Sequence, residues 1–196
     1  GEILNIINGS LPLDEEGGVK LNVLSILNEK YGITERDLIT AELSAVPAFK
    51  SRFVGLDRSM IGAYGQDDRI CAYPSFRALL AEPNPEYTSV LMLADKEEIG
   101  SVGITGLGSD TYPDFIARLC AAAGADFLAC KRESVCLSAD VGGAYDPCFA
   151  EAYEANNSAY LNRGVVISKY TGSRGKGGCS DAAAETMSRV ARAFDK

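Results

Sequence analysis

Asp95-Lys-Glu-Glu-Ile-Gly-Ser101 follows directly on the apolar run Ser89-Val-Leu-Met-Leu-Ala94. A short continuous apolar run of this kind reads as a buried strand, so the pair of segments reads as a strand delivering acids to a sheet edge. Side chains alternate along such a chain. Alternation can send one of Glu97 and Glu98 toward a metal ion and leave its neighbour free to take a proton, the division of labour a metallohydrolase needs.

Two further sets of acids occupy comparable places. Asp67 and Asp68 stand at the start of a helix expected over residues 69–81, and Asp140 directly follows the strand-like run Val135-Cys-Leu-Ser-Ala139. In open α/β sheets, ligands collect beyond the carboxyl ends of strands. Each acid also has a plainer reading. Asp67 and Asp68 suit the positive end of a helix macrodipole, Glu97 and Glu98 suit a solvated turn, and Asp140 suits a cap on the Gly142-Gly143 turn. Their repetition favours one shared site.

The remaining pattern alternates between helix and strand. An apolar stripe of Val23, Leu24, Leu27 and Tyr31 predicts a short helix over 19–31, closed by Gly32. Residues 37–46 read as a strand that stops at Pro47, and a boundary falls near residue 55. Beyond it come the helix over 69–81 (Tyr73, Phe76, Leu79 and Leu80 inward), the strand over 89–94 and a helix over 112–123. Strands over 135–139 and 165–169 follow, then a helix over 181–194 with Ser180 as N-cap and Met187, Val190, Ala191 and Phe194 on one face. Alternation of this kind specifies an α/β layered fold.

Composition excludes several classes. The 196 residues are 46% hydrophobic and 23% charged, ordinary for a globular domain that buries a core. No apolar run approaches the ~20 residues of a membrane helix, so no membrane partner is expected. A net charge of -8 argues against nucleic acid, whose non-specific binding depends on lysine and arginine. Six cysteines without a Cys-x-x-Cys pair predict reduced thiols in a cytoplasmic protein. The N-terminus shows no secretion signal and no initiator Met. There is no histidine, which removes Ser-His-Asp and Cys-His chemistry and leaves any hydrolysis to carboxylates or to completion by residues outside this chain.

Lys169-Tyr-Thr-Gly-Ser-Arg-Gly-Lys-Gly-Gly-Cys179 is a basic, glycine-rich loop between a strand and a helix. Its glycines do not meet the Walker spacing, yet a helix N-terminus behind such a loop suits an anion, so a phosphate-binding module over 169–179 is one alternative function. Gly103-Ile-Thr-Gly-Leu-Gly108 does not meet the dinucleotide spacing either.

Four segments in order, Tyr64-Gly-Gln-Asp-Asp-Arg69, Asp95-Lys-Glu-Glu-Ile-Gly-Ser101, Ser138-Ala-Asp-Val141 and Lys169-Tyr-Thr-Gly-Ser-Arg-Gly-Lys176, resemble the aspartyl aminopeptidase and aminopeptidase I family of dinuclear zinc exopeptidases. The resemblance implies a three-layer α/β/α sandwich, with residues 1–55 similar to the end of an inserted dimerisation domain and 56–196 to the central part of the catalytic domain. It further implies Asp67 as the carboxylate bridging two zinc ions, with cobalt or manganese as substitutes. Glu97 is then the general base, and Glu98 and Asp140 each ligate one metal. Lys169, Arg174 and Lys176 are the local candidates to pair with an acidic substrate residue. Peptide substrates and a homo-oligomer are the partners implied. The family also uses histidine ligands that these 196 residues lack, so the expectation for the isolated chain is an incomplete, inactive site. A structural or regulatory piece of the same fold is the non-enzymatic alternative.

Overall fold

The computed structural model describes residues 5–16, 18–171 and 180–195. The chain divides into two compact units, Gly1–Ser51 and Arg52–Lys196.

In the first unit the helix α1 spans Val19–Tyr31, as the apolar stripe predicts. It ends at Gly32, whose φ of 69° is the left-handed conformation of a C-cap and whose N–H reaches the Asn28 carbonyl. Asn22 Nδ2 donates to the Leu11 carbonyl at 3.0 Å, pinning the preceding segment to the helix, and Lys20 pairs with Glu35. The strand expected over 37–46 does not form. Asp37 accepts from the Thr34 N–H at 2.8 Å and from its hydroxyl at 2.6 Å, which turns the chain into a 3-10 helix over Asp37–Ile39. An apolar alternation without a partner strand loses to that local hydrogen bonding.

The second unit opens with the antiparallel hairpin of β1 (Arg52–Val54) and β2 (Met60–Gly62), in which Phe53 faces Ile61. The helix α2 (Gln66–Ala81) follows, with non-helical backbone at Asp67 and Asp68, so its regular part begins where the sequence placed it. Tyr73, Phe76 and Leu80 are exposed rather than inward, and Leu79 is half-buried. The helix α3 spans Thr111–Ala122 and carries Cys120, the one buried hydrophobic residue among those described.

After α3 the Gly124 N–H bonds to the Ala121 carbonyl and the Ala125 N–H to the Cys120 carbonyl, a Schellman turn for which Gly124 supplies φ 67°. The turn leads at once into α4 (Phe127–Glu133), a helix not anticipated from the sequence, capped by Asp126 accepting from the Ala129 N–H at 2.7 Å. Near the C-terminus β3 (Tyr170–Thr171) pairs antiparallel with β4 (Ser180–Asp181). The helix α5 covers Ala184–Phe194 and is entered from Ala183 rather than Ser180, because Ser180 and Asp181 are taken up in the hairpin.

The three strands expected over 89–94, 135–139 and 165–169 are not ladders among the described residues. An isolated parallel bridge joins Asp95 to Gly106, and β3 begins only at Tyr170. A strand is a property of a pair, and these runs meet no partner here. The fold is mixed helix and strand, and its apolar runs are largely exposed: Leu93 is 63% and Leu137 73% accessible.

Candidate metal centre

Three stretches bring carboxylates together. The first is the entry to α2. Gln66 Nε2 donates to the Ile61 carbonyl at 2.6 Å and the Arg69 N–H reaches the Gly65 carbonyl, which ties the start of the helix back to the β1–β2 hairpin. Between these ties Asp67 (φ -81°, ψ 110°) and Asp68 (φ -113°, ψ 21°) depart from helical geometry, and the peptide joining them is cis. They are therefore not ordinary first-turn residues of a regular helix.

The second stretch is the loop after the apolar run. Glu97, Glu98 and Ile99 form a 3-10 turn between Lys96 (φ 65°) and Gly100 (φ 92°), closed by the Gly100 N–H on the Glu97 carbonyl at 2.8 Å. The Ser101 N–H bonds to the Lys96 carbonyl and the Gly108 N–H to the Ser101 carbonyl, so residues 101–108 fold back over the turn. Gly106 permits this approach: a Cβ there would lie 2.2 Å from the Ser101 carbonyl oxygen. The loop is anchored onward to α3 by the Thr111 hydroxyl on the Ile104 carbonyl and the Tyr112 hydroxyl on the Thr105 carbonyl, each at 2.9 Å. The glycines of 103–108 thus serve a tight turn behind Glu97 and Glu98.

The third stretch is Asp140, which accepts from the following Val141 N–H at 2.7 Å. That bond leaves the second carboxylate oxygen available.

Oxygen atoms of Asp67, Asp68 and Asp140 lie within 4.8 Å of one another, all three residues exposed. Glu98 joins them from the loop. A hydrogen bond shared with Asp67 and then the negative charges of Asp67, Glu97 and Asp140 raise its carboxyl above the usual range. Cys71, one turn into α2, is pushed up to about 11, first by burial and then by the Asp68 carboxylate, with Asp140 and Asp67 adding to it. Crowded carboxylates repel one another, and a divalent cation is a natural partner for such a group.

The structure therefore brings Asp67, Asp140 and Glu98 into one neighbourhood and places Glu97 beside Glu98. Asp68 joins that neighbourhood too; the sequence offered it with Asp67 as one of the repeated acid sets, and the resemblance gave it no role of its own. Lys169 is otherwise engaged. Its ammonium donates to Asp181 and to the Ala182 carbonyl at 2.9 Å and lies 4.5 Å from the Tyr170 ring centroid. Those contacts, led by Asp181, raise its proton affinity and hold it on the β3–β4 hairpin. Arg174 and Lys176 lie outside the described residues.

The sequence profile of the aminopeptidase I zinc metalloprotease family (M18) matches residues 2–195. The chain belongs to this family. A probable M18 family aminopeptidase 1 of Clostridium acetobutylicum is 48% identical over 203 residues, covering 100% of this chain and 44% of that protein. The corresponding protein of Thermotoga maritima is 45% identical, covering 100% and 45%. Among solved structures, the M18 family aminopeptidase of Thermotoga maritima superposes with a TM-score of 0.85 at 44% identity, covering 96% of this chain and 43% of that one. Aminopeptidase I from Clostridium acetobutylicum gives 0.82 at 47%, covering 96% and 42%. The chain spans less than half the length of the curated relatives it matches.

The donor set fits a divalent cation. Its oxygens are hard ligands able to converge on one point, while zinc also favours imidazole or thiolate, and this chain contains no histidine. Among the described residues no helix is long and apolar enough to cross a membrane. The described cysteines, Cys71, Cys120, Cys130, Cys136 and Cys148, are all free.

Proposed function

We propose that this chain supplies the carboxylate half of a zinc aminopeptidase that removes the N-terminal residue from peptides. The observation that carries the reading is the convergence of Asp67, Asp68 and Asp140 within 4.8 Å, with Glu98 near enough for Asp67 to raise its carboxyl. In it Asp67, Glu98 and Asp140 would hold the zinc, Asp67 as the ligand shared between two ions and Glu98 and Asp140 as ligands of one each. Bound zinc supplies polarisation of the scissile carbonyl and acidification of water.

Glu97 and Glu98 both stand outside the three-carboxylate group; Asp67 acts on Glu98, and Glu97 is carried on the turn held by the Glu97–Gly100 hydrogen bond. That leaves it free to take the proton of the attacking water and hand it to the departing amine. Asp68 adds negative potential at the entry to α2. A preference for substrates beginning with Asp or Glu would draw on Arg174 or Lys176, Lys169 being held by Asp181. Imidazole ligands come from outside these residues, so the isolated chain binds metal weakly and is inactive. The free cysteines support a reducing, cytoplasmic setting. Exposed apolar side chains of the first unit, such as Ile7, Ile39 and Leu43, support assembly into a homo-oligomer through residues 1–55.

The test is Glu97→Gln in an enzyme made complete by the remaining family fold. Zinc binding by calorimetry stays as in the parent, and release of the N-terminal residue falls by roughly 10²-fold or more. A variant that keeps its activity removes Glu97 from the reaction, and one that loses zinc makes it a ligand instead.

A further inference from the structure

The helices α3 and α4 pack against each other across a connection of only residues 123–126. Two helices joined so closely form an αα-hairpin. Cys120 lies five residues before Ala125 and Cys130 five residues after it, which sets the two cysteines at the same height above the turn. Their side chains meet there. The Cys120 thiol shares a hydrogen bond with Cys130, and Cys130 Sγ reaches on to the Ser134 hydroxyl at 3.8 Å.

The backbone holds this approach in place. The Ala125 N–H bonds to the Cys120 carbonyl at 2.8 Å and the Cys130 N–H to the Asp126 carbonyl at 2.9 Å, so both cysteines are tied to one turn. Both thiols are free, and among the described cysteines no other pair is brought together in this way. Their settings differ. Cys120 is the one buried hydrophobic residue described, at 5% exposure, whereas Cys130 is half-buried. Burial first, then Cys130 and the Asp126 carboxylate, raise the proton affinity of the Cys120 thiol. A shielded, protonated thiol is slow toward reagents, and its more open neighbour meets them first.

We propose that Cys120 and Cys130 form a redox-active dithiol, which a low-molecular-weight disulfide converts to an internal disulfide by reaction at Cys130 first. The Cys130 thiolate attacks one sulfur of the reagent, and the other half of the reagent leaves as a thiolate. Cys120 then gives up its proton and attacks the Cys130 sulfur, releasing the second half. The reagent's S–S bond is replaced by the protein's, the two cysteines lose two electrons, and the two departing thiolates take up the two thiol protons. Bridges of this kind in reducing compartments are transient and redox-sensing, so the site is compatible with a cytoplasmic setting. The bridge clamps α4 to α3, and α3 anchors through Thr111 and Tyr112 the loop behind Glu97 and Glu98. The dithiol is independent of the proposed peptidase reaction.

The test treats the folded protein with 2-hydroxyethyl disulfide and maps its peptides without reduction. Trypsin releases Leu119–Lys131, which holds both cysteines and no other, and cleavage before Asp126 divides it between them. The expected peptide is lighter by the two thiol hydrogens, stays joined after cleavage at Asp126, and separates on adding dithiothreitol. It forms at least about tenfold faster than any other pairing of the six cysteines. A bridge that forms first elsewhere overturns the proposal, as does a Cys130 that stops at the adduct with the reagent while Cys120 stays free. Cys120→Ser should trap that adduct on Cys130, and Cys130→Ser should leave Cys120 unmodified while Cys136 and Cys148 react. Rapid modification of Cys120 in a folded Cys130→Ser variant overturns the order of attack. The parent's peptide map decides the pairing even where a variant does not fold.

Discussion

Residues 95–109 and residues 89–94 are adjacent in sequence and held in opposite ways. The loop closes on itself through the Asp95 N–H on the Thr105 carbonyl, the Ser101 N–H on the Lys96 carbonyl and the Gly108 N–H on the Ser101 carbonyl, none spanning more than 10 residues. The apolar run before it has no such bonds, and the side chain of Leu93 is 63% exposed. Short-range hydrogen bonds cost little loop-closure entropy and form wherever the local sequence offers donors and acceptors. Strand ladders depend on distant chain. The 95–109 loop is thus held locally, while the run before it has no backbone bonds to another described residue.

The comparison breaks most visibly if the loop's self-closure is removed. Gly106→Val places a Cβ 2.2 Å from the Ser101 carbonyl oxygen and 2.4 Å from its carbon, both backbone atoms unable to swing aside. Overpacking of this kind costs about 1–3 kcal/mol. The Ser101 and Gly108 amides should exchange faster by one to two orders of magnitude at the corresponding free-energy loss, about tenfold per 1.4 kcal/mol. Unchanged amides would mean that the loop is held from elsewhere.

A smaller effect tests local closure away from the site. Asp126→Ala removes the acceptor for the Ala129 N–H and should destabilise α4 by about 1 kcal/mol, read as fraying in backbone chemical shifts. Asp126→Asn keeps an acceptor and should retain most of the helix. If both variants fray equally, the carboxylate charge rather than its capping geometry holds the turn.

The same contrast explains what could be read from the letters. α1 and α3 were legible because their stripes and the Gly32 stop act within a few residues. α4 was missed because seven residues are too few to show a period, although Gly124 and Asp126 carried its boundary. The strand expected over 37–46 failed where the Thr34–Asp37 bonds won locally, and those over 89–94, 135–139 and 165–169 failed for want of partners. At the site, the resemblance and the placing of the acids singled out Asp67, Glu98 and Asp140, of which Asp67 and Asp140 converge together with Asp68. Asp68 stood beside Asp67 in that pattern, but a carboxylate at a helix start has an adequate explanation without a metal, and no separate role was read for it.

Asp95 offers a titration of the loop. The Lys96 backbone N–H first, then the Thr105 hydroxyl at 3.1 Å, hold its carboxyl below the usual range. A carboxyl depressed in the folded state stabilises it above the ordinary carboxylate range, and that contribution is lost as pH falls through the depressed value. Thr105→Val should therefore raise the Asp95 value in a carboxyl-carbon NMR titration and move acid loosening of the loop to higher pH. No movement would assign the depression wholly to Lys96.

The smallest effect is the most discriminating. Leu137 is 73% exposed in a run without ladder bonds, so Leu137→Ala should change the stability of the 196-residue chain by no more than about 0.5 kcal/mol, as expected of a surface position. A leucine packed in a finished core loses about 2–5 kcal/mol on the same truncation. Chemical unfolding of the chain with and without the change separates the cases. A loss above about 2 kcal/mol in the chain alone would show that the run is already packed. In that event the loop and the run beside it are held alike.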